Sequence, residues 1–233
     1  MGEFAQKRII RKLDLELLLS QLAAQPSPKA HLEQYTTSPQ VAATILHLAA
    51  YINDDIVGKT VLDLGCGTGR LALGASYLGA KNVVAVDIDR LSIKTAVENS
   101  KKIDLVDCVQ WIIGDINAVM GKFDCVLQNP PFGVQNREAD RPFLRKALQA
   151  GTVVYSLHIH PKTDERLIQQ LRTCGGLLRV SPSPFLEQYI EKHHGVVKAA
   201  YAMLMTIPRM FDFHTKNRHD FVIDLYVIER VNR

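Results

Sequence analysis

Four consecutive residues, Asn129-Pro130-Pro131-Phe132, combine groups suited to holding a planar amine. An exocyclic amine is a poor nucleophile because its lone pair is delocalised into the ring. The Asn129 side-chain oxygen and the Pro130 carbonyl can accept its two N–H bonds and leave the lone pair directed at an electrophile. Proline fixes the backbone φ beforehand, and Phe132 offers an aromatic face to an unstacked base. The pattern predicts a catalytic motif; the alternative is a proline-stiffened surface turn.

A glycine-rich turn, Asp63-Leu64-Gly65-Cys66-Gly67-Thr68-Gly69, follows an apolar run and precedes a helical pattern. Glycines allow a sharp turn and a close approach of the backbone to a ligand. Asp87, at the tip of the next apolar run, can take two ribose hydroxyls, and Asp115, after the third, can accept an adenine amino group. These positions predict a nucleoside-bearing ligand. The alternatives are a structural turn or a nicotinamide site, whose glycine spacing is G-x-G-x-x-G.

The apolar runs alternate with helical patterns from residue 60 onward. Short runs typical of buried strands lie at 61–64, 83–86, 109–113, 123–127 and 152–157. Helical patterns lie at 71–77, 92–100, 141–150 and 163–173. Two further strands, 196–207 and 220–229, are expected to form an antiparallel hairpin at the sheet edge. The alternation predicts an α/β fold with a seven-stranded, mostly parallel sheet and helices on both faces.

The part of the chain before this alternation is helical in pattern. An amphipathic helix is predicted over 7–24, and a second begins at Ser38-Pro39, where serine caps and proline occupies the first turn. Without a repeat or linker, the chain is expected to be one domain over 1–233. It comprises an N-terminal helical extension, 1–58, and a catalytic core, 59–233.

Composition excludes few classes of protein. Hydrophobic residues make up 47% and charged residues 22% of the sequence, which is ordinary for a globular protein. The net charge of +4 permits an acidic partner such as RNA but does not demand one. The four cysteines have no zinc-like spacing and are expected to be reduced. No apolar run reaches the ~18 residues that span a bilayer, so a cytoplasmic protein without membrane contact is expected.

The two motifs together resemble those of a known class. The order D-x-G-x-G-x-G, Asp87, Asp115 resembles the S-adenosylmethionine site of class I, Rossmann-like methyltransferases. Asn129-Pro130-Pro131-Phe132 resembles the [D/N/S]-P-P-[Y/F/W] signature of amino-group methyltransferases, whose targets include adenine, cytosine, guanine and glutamine. The resemblance implies S-adenosylmethionine as cofactor and Asn129, Pro130, Pro131 and Phe132 as catalytic residues. The motif alone does not select the substrate.

Segments outside the motifs resemble the methyltransferase-like protein 5 family over almost the whole chain. The similar segments are Leu32–Thr37, Tyr51–Ile56, Asp87–Asp89, Asn129–Gly133, Phe143–Leu148, Val154–His158, Phe213–Lys216 and Asp224-Leu225. Members methylate adenine N6 in small-subunit ribosomal RNA. The resemblance therefore implies that activity here, in an archaeal-type member.

The same resemblance assigns roles to individual residues. Gln34 and Thr37 are expected to close over the methionine end of the cofactor. The remaining cofactor contacts are expected from Asp63, Gly65, Gly67, Thr68, Gly69, Arg70, Asp87 and Asp115. The chain departs from human-type members at Thr68 and Arg70, where they have Cys and Val, and at Thr36, where they have Pro. Eukaryotic members use a small zinc-binding activator subunit that pairs along an exposed strand edge, so such a partner is expected.

A basic segment near the C-terminus is the predicted RNA contact. It carries Arg209, Phe213, His214, Lys216 and Arg218, and cations interleaved with aromatics suit an RNA backbone with splayed bases. A solvated hairpin loop is the alternative. The histidine pairs at 158/160 and 193/194 lack a third ligand, so no metal site is predicted.

Three other functions compete with RNA adenine methylation. A protein glutamine N5-methyltransferase or a guanine N2 RNA methyltransferase would keep the chemistry and change the acceptor. The former more often has Tyr after Pro-Pro and a separate N-terminal helical domain. A non-catalytic RNA-binding scaffold would tend to lose the glycine turn or the tetrapeptide, and both are intact here.

Overall fold

The structure, a computed structural model, describes residues 9–133, 138–162, 165–208 and 218–231. The helices are α1 (Lys12–Ser20), α2 (Pro39–His47), α3 (Arg70–Tyr77), α4 (Arg90–Lys102), α5 (Asp140–Ala150), α6 (Glu165–Thr173) and α7 (Pro184–Lys192). The strands are β1 (Thr60–Leu64), β2 (Asn82–Asp87), β3 (Gln110–Ile113), β4 (Phe123–Gln128), β5 (Gly151–Ile159), β6 (Leu177–Val180), β7 (Gly195–Pro208) and β8 (Arg218–Arg230). Short 3-10 turns span Ala30–Leu32 and Ile116–Ala118, and α2 continues as a π-helical turn over Leu48–Ile52.

The described strands form one sheet in the order β3-β2-β1-β4-β5-β8-β7-β6. The first five strands of that order are parallel, whereas β8, β7 and β6 pair antiparallel. This confirms the predicted α/β class. The sheet has eight strands rather than the expected seven, because the four residues of β6 form an additional outer strand directly after the Gly175-Gly176 turn. The hairpin of β7 and β8 therefore lies inside the sheet edge.

Helices cover both faces of the sheet, which explains why its central strands are apolar on both sides. Buried residues of α1, α2 and α3 pack in one core cluster with Val61 and Leu127. Buried residues of α5 and α7 pack in a second cluster with Leu62 and Leu64, and Leu171 of α6 packs in a third, smaller one. The helix α7 was not predicted from the sequence. Within the described ranges, no helix is both long and apolar enough to cross a lipid bilayer.

The N-terminal extension is fastened to the sheet by buried polar contacts as well as by apolar packing. Ser38 caps α2 as predicted, accepting the N–H of Val41 at 3.3 Å. The first helix is shorter than predicted, so residues 21–37 form a long loop that crosses the carboxyl ends of the strands. Fully buried Asn99 of α4 exchanges two hydrogen bonds with the Ala23 backbone and donates to the Thr68 carbonyl at 3.0 Å. The loop is thereby joined to the glycine-rich turn.

Candidate active site

The glycine-rich turn connects β1 to α3 with a backbone that side chains would obstruct. Gly65, Gly67 and Gly69 all have positive φ, at 74°, 54° and 83°. A Cβ at Gly69 would lie 2.5 Å from the Trp111 ring. A Cβ at Gly67 would meet no atom within 4 Å, so the turn leaves open space beside this residue. Gly67 therefore offers the close backbone approach that a ligand needs.

Asp63 lies at the buried end of β1 beneath this turn. It is 1% exposed, and its Oδ2 accepts the Ala72 N–H of α3 at 2.8 Å. Burial raises the pKa of Asp63 to about 7, and the neighbouring Asp87 charge acts in the same direction. Asp63 thus connects β1 to α3 by a hydrogen bond, and its pKa depends on the charge of Asp87.

The end of β2 carries two carboxylates with different tasks. Asp87 Oδ2 accepts the Gly67 N–H and its Oδ1 accepts the Asp89 N–H, both at 2.8 Å. Burial raises the pKa of Asp87, although these two bonds act in the opposite direction. Each oxygen retains a lone pair, so Asp87 remains able to accept two hydroxyls.

Asp89 anchors the loop over the site. Its carboxylate accepts Lys29 Nζ at 2.9 Å, Gln25 Nε2 at 2.7 Å and Gln34 Nε2 at 2.9 Å. Burial would raise the pKa of Asp89, but its hydrogen bonds, that of Lys29 foremost and then that of Gln34, lower it to about 2. Gln34, expected at the cofactor, is thus bonded to Asp89, and its Oε1 accepts the Lys29 N–H at 2.7 Å.

Asn129 follows β4 and is oriented by the same loop. Its Nδ2 donates to the Tyr35 carbonyl at 3.2 Å and to Thr37 Oγ1 at 3.0 Å. Because a carbonyl can only accept, the amide nitrogen must face Tyr35, which leaves Oδ1 on the other side. That oxygen is buried and has no hydrogen-bond partner among the described residues. The site therefore contains an oriented acceptor that is not satisfied within it.

Arg70, the first residue of α3, holds the loop from below. Its Nη1 donates to the Thr37 carbonyl and its Nη2 to the Leu22 carbonyl at 3.0 Å. Burial lowers the pKa of Arg70 to about 10, so the guanidinium remains charged at neutral pH. These two hydrogen bonds go to the N-terminal loop, and Arg70 also lines the cavity described below.

Phe132 sits between two other aromatic residues. Its ring is nearly parallel to that of Tyr35, with centroids 6.2 Å apart and an interplanar angle of 15°. Phe221 of β8 contacts it edge-on at 5.9 Å. The tetrapeptide thus ends in an aromatic cluster with one residue of the N-terminal loop and one of β8.

One cavity of about 450 Å³ joins these groups. Of the predicted site residues, Gln34, Thr37, Asp63, Gly65, Gly67, Thr68, Arg70, Asp87, Asp115, Asn129 and Pro131 line it. Gly69, Pro130 and Phe132 do not line it. Asp115 caps the 3-10 turn after β3, accepting the Asn117 N–H at 2.8 Å. The volume is in the usual range for small-molecule sites.

Four of the five predicted RNA contacts lie outside the part of the chain that the structure describes. Arg209, Phe213, His214 and Lys216 lie outside the described residues. Arg218 is the first residue of β8 and is paired in register with Pro208.

Sequence reasoning missed several residues of the site. Ile88 and Ile116 line the cavity beside Asp87 and Asp115, and Phe143 of α5 lines it behind Gly65. Ile88 and Ile116 each directly follow an acidic residue at or just after the end of a strand, a spacing that could have revealed them. Asp89 also gave a signal, since it stands two residues after Asp87 at the start of a helix.

Comparisons with known proteins agree with this geometry. Residues 40–130 match the family model of ribosomal protein L11 methyltransferase (PrmA). The crystal structure of PH1948 from Pyrococcus horikoshii, 35% identical, covers 97% of this chain and all of its own chain with a TM-score of 0.79. A glycine turn after β1, carboxylates after β2 and β3, and Asn-Pro-Pro-Phe after β4 define a class I methyltransferase.

Two relatives identify the family within that class. The protein MJ0284 of Methanocaldococcus jannaschii is 38% identical, and the match covers 96% of both chains. The rRNA N(6)-adenosine-methyltransferase METTL5 of Danio rerio is 41% identical over 66% of this chain and 75% of its own. The chain belongs to the METTL5 family, as the sequence predicted.

The raised pKa of Asp63 predicts a pH dependence of stability. The folded chain keeps this proton between about pH 4 and 7, where the unfolded chain has lost it, so rising pH destabilises the fold across this window. Relative to Asp63→Asn, the wild-type free energy of unfolding should fall by up to about 4 kcal/mol from pH 4 to 7 and then level off. Urea unfolding at several pH values measures it.

Asp124→Asn is the control of opposite sign. Hydrogen bonds from Thr60 lower the pKa of Asp124, so its stabilisation is lost as the pH falls. Parallel pH curves for wild type and Asp63→Asn would contradict the assignment of a protonated Asp63.

Proposed function

We propose that this chain transfers a methyl group from S-adenosylmethionine to the exocyclic N6 of an adenine in ribosomal RNA, that of the small subunit. The observation that carries the proposal is the oriented, unsatisfied Oδ1 of Asn129 in a residue that lines the same cavity as Asp87. Cytoplasmic action is part of the same proposal.

The residues around the glycine turn fit the cofactor. Gly67 leaves open space at its Cα, and Asp87 keeps two accepting lone pairs for ribose hydroxyls. Asp115 would accept an adenine amino group, with exposed Ile88 available for the ring face. The chemistry that S-adenosylmethionine supplies when bound is an electrophilic methyl group on a positively charged sulfur.

Asn129 would bind the amine that receives the methyl group. Its Oδ1 and the Pro130 carbonyl accept the two N–H bonds, which favours a pyramidal nitrogen with a directed lone pair. The bonds to Tyr35 and Thr37 hold the amide in this orientation before the base arrives. Because Oδ1 is covered in this structure, base entry requires a local rearrangement around it.

Three relatives named as rRNA N(6)-adenosine-methyltransferases support adenine as the target. Besides the Danio rerio protein, that of Drosophila melanogaster is 41% identical over 148 residues and that of Caenorhabditis elegans 27% identical over 228 residues. The basic segment with Arg209, Phe213, His214, Lys216 and Arg218 is the proposed RNA contact. Glutamine and guanine remain as the alternative acceptors.

Labelled S-adenosylmethionine incubated with ribosomal RNA and, separately, with protein extract tests the proposal. We expect label in RNA, and nucleoside analysis by mass spectrometry should identify it as N6-methyladenosine. Label in guanosine or in a glutamine side chain would contradict the adenine assignment. A chain that binds the cofactor and labels neither would favour a scaffold.

Two variants make this experiment specific to the site. Asn129→Ala should lower turnover by about 100-fold or more while cofactor affinity stays within about twofold, because Asn129 acts on the amine. Asn82→Ala, at an exposed residue of β2, should leave both unchanged.

The activator subunit expected from the family would find a free strand edge. β3 is an outer strand that pairs only with β2 in the described sheet. Ile112 and Ile113 on it are 42% and 51% exposed, whereas the outer strand β6 at the opposite edge exposes its apolar residues less. An unpaired edge with exposed apolar side chains suits the addition of a partner strand. We therefore include a small zinc-binding subunit at β3 in the proposal.

The double variant Ile112→Lys/Ile113→Lys tests this partner. Co-expressed with a candidate zinc-binding subunit, wild type should elute with it on size exclusion, and the variant should elute alone. Leu13→Lys changes a residue of α1 that is 59% exposed and should retain the complex. A complex that survives the double variant would exclude β3 as the interface.

A further inference from the structure

A chain of buried polar side chains lies beside the tetrapeptide, outside the cavity. Gln128 Nε2 donates to Ser156 Oγ at 2.8 Å, and Ser156 Oγ lies 2.8 Å from His158 Nε2. His158 Nδ1 lies 3.1 Å from Asp140 Oδ2. Gln128, Ser156 and His158 are at most 3% exposed. Removing each of these polar groups from water costs free energy that its hydrogen bonds must offset, so a buried network of this size indicates a specific role.

The order serine, histidine, aspartate is that of a hydrolytic triad, but the surroundings exclude a nucleophile. Ser156 is fully buried, and none of the three residues lines the cavity. Its hydroxyl oxygen already accepts from Gln128. A nucleophile must reach a substrate carbonyl, so this hydrogen-bond network has another role.

The hydrogen bonds of this network have one consistent donor-to-acceptor direction, set by the Asp140 carboxylate. Burial raises the pKa of Asp140, but the hydrogen bond with His158, the charges of His158 and Arg141 and a backbone hydrogen bond together outweigh it, so the pKa lies below its usual range and the carboxylate is ionised. An ionised carboxylate only accepts, which places a proton on His158 Nδ1. In the neutral ring, Nε2 then accepts the Ser156 O–H, and Ser156 accepts from Gln128.

This direction explains a second unsatisfied atom. Gln128 Oε1 is buried and has no hydrogen-bond partner within the described ranges. Reversing the amide would bring Oε1 to Ser156, but the Ser156 proton is already committed to His158. The ionised Asp140 therefore determines the orientation of Gln128 from three hydrogen bonds away.

The two residues at the ends of this hydrogen-bond network, Gln128 and Asp140, flank the tetrapeptide in sequence. Gln128 is the last residue of β4 and directly precedes Asn129. Asp140 is the first residue of α5, whose first turn contributes Pro142 and Phe143 to the cavity. Fixing Gln128 restricts the backbone of the tetrapeptide that follows it, and the two prolines of the tetrapeptide restrict it further.

We propose that Ser156, His158 and Asp140 are positioning residues that hold Gln128, and through it Asn129-Pro130-Pro131-Phe132, in the geometry for methyl transfer. The proposal rests on the function proposed above, although its effect on the backbone does not depend on the substrate. A misplacement of about 1 Å near reacting atoms lowers turnover by roughly 100-fold.

The variants Ser156→Ala and His158→Asn each interrupt the hydrogen-bond network at a different residue. Both should lower kcat by about 10- to 100-fold, with KM for RNA and cofactor affinity within about twofold. Amide hydrogen exchange in the peptide 123–133 should accelerate by about fivefold, since each lost hydrogen bond contributes ~1 kcal/mol. The exchange experiment needs no substrate, so it decides the positioning role even if the wild type does not methylate RNA.

His160→Asn is the matched control. His160 Nδ1 bonds Asp224 Oδ1 at 2.8 Å, which is a second His–Asp pair two residues further along β5 that does not reach Gln128. The variant His160→Asn should leave kcat and the amide exchange of 123–133 within about twofold of wild type. Its loss of thermal stability should be comparable to that of the two test variants. Unchanged exchange in Ser156→Ala, or equal losses in all three variants, would overturn the proposal.

Discussion

The hydrogen bonds from the Asn129 amide to the Tyr35 carbonyl and the Thr37 hydroxyl are the contacts on which the site depends. They orient a side chain that could otherwise rotate by half a turn and present a donor instead of an acceptor. They also join two distant parts of the chain, 94 and 92 residues apart in sequence. The orientation of Asn129, directly after β4, is thus determined by the loop of the N-terminal extension.

That extension must itself be rigid, and buried polar residues make it so. Arg70 holds the Thr37 carbonyl, Asn99 holds Ala23, and Asp89 gathers Gln25, Lys29 and Gln34. Each anchor lies on an element next to the glycine turn or on the end of β2. The proposed cofactor contacts and Asn129 therefore share one set of supports, and a change in the loop that provides these supports is expected to affect both.

The sequence predicted the chemistry of the site better than its connections. Asp63, Asp87 and Asn129 could be placed together because parallel strands present their carboxyl ends at one edge. The partner of Gln34, the Gln128–Ser156–His158–Asp140 chain and the role of Arg70 could not be predicted, since they depend on contacts between residues far apart in sequence. The strand β6 and the helix α7 were missed because both are short and follow a region where the regular alternation stops.

The central claim is that Asn129 Oδ1 accepts a hydrogen bond from the amine to be methylated. Binding of a target RNA and of the same RNA with purine riboside, which lacks the amino group, measures this contact in wild type and in Asn129→Ala. Wild type should prefer the adenosine RNA about tenfold more strongly than Asn129→Ala does, as expected for one lost hydrogen bond, since the contact to the Pro130 carbonyl remains in the variant. An equal preference for adenosine in both proteins would contradict the account.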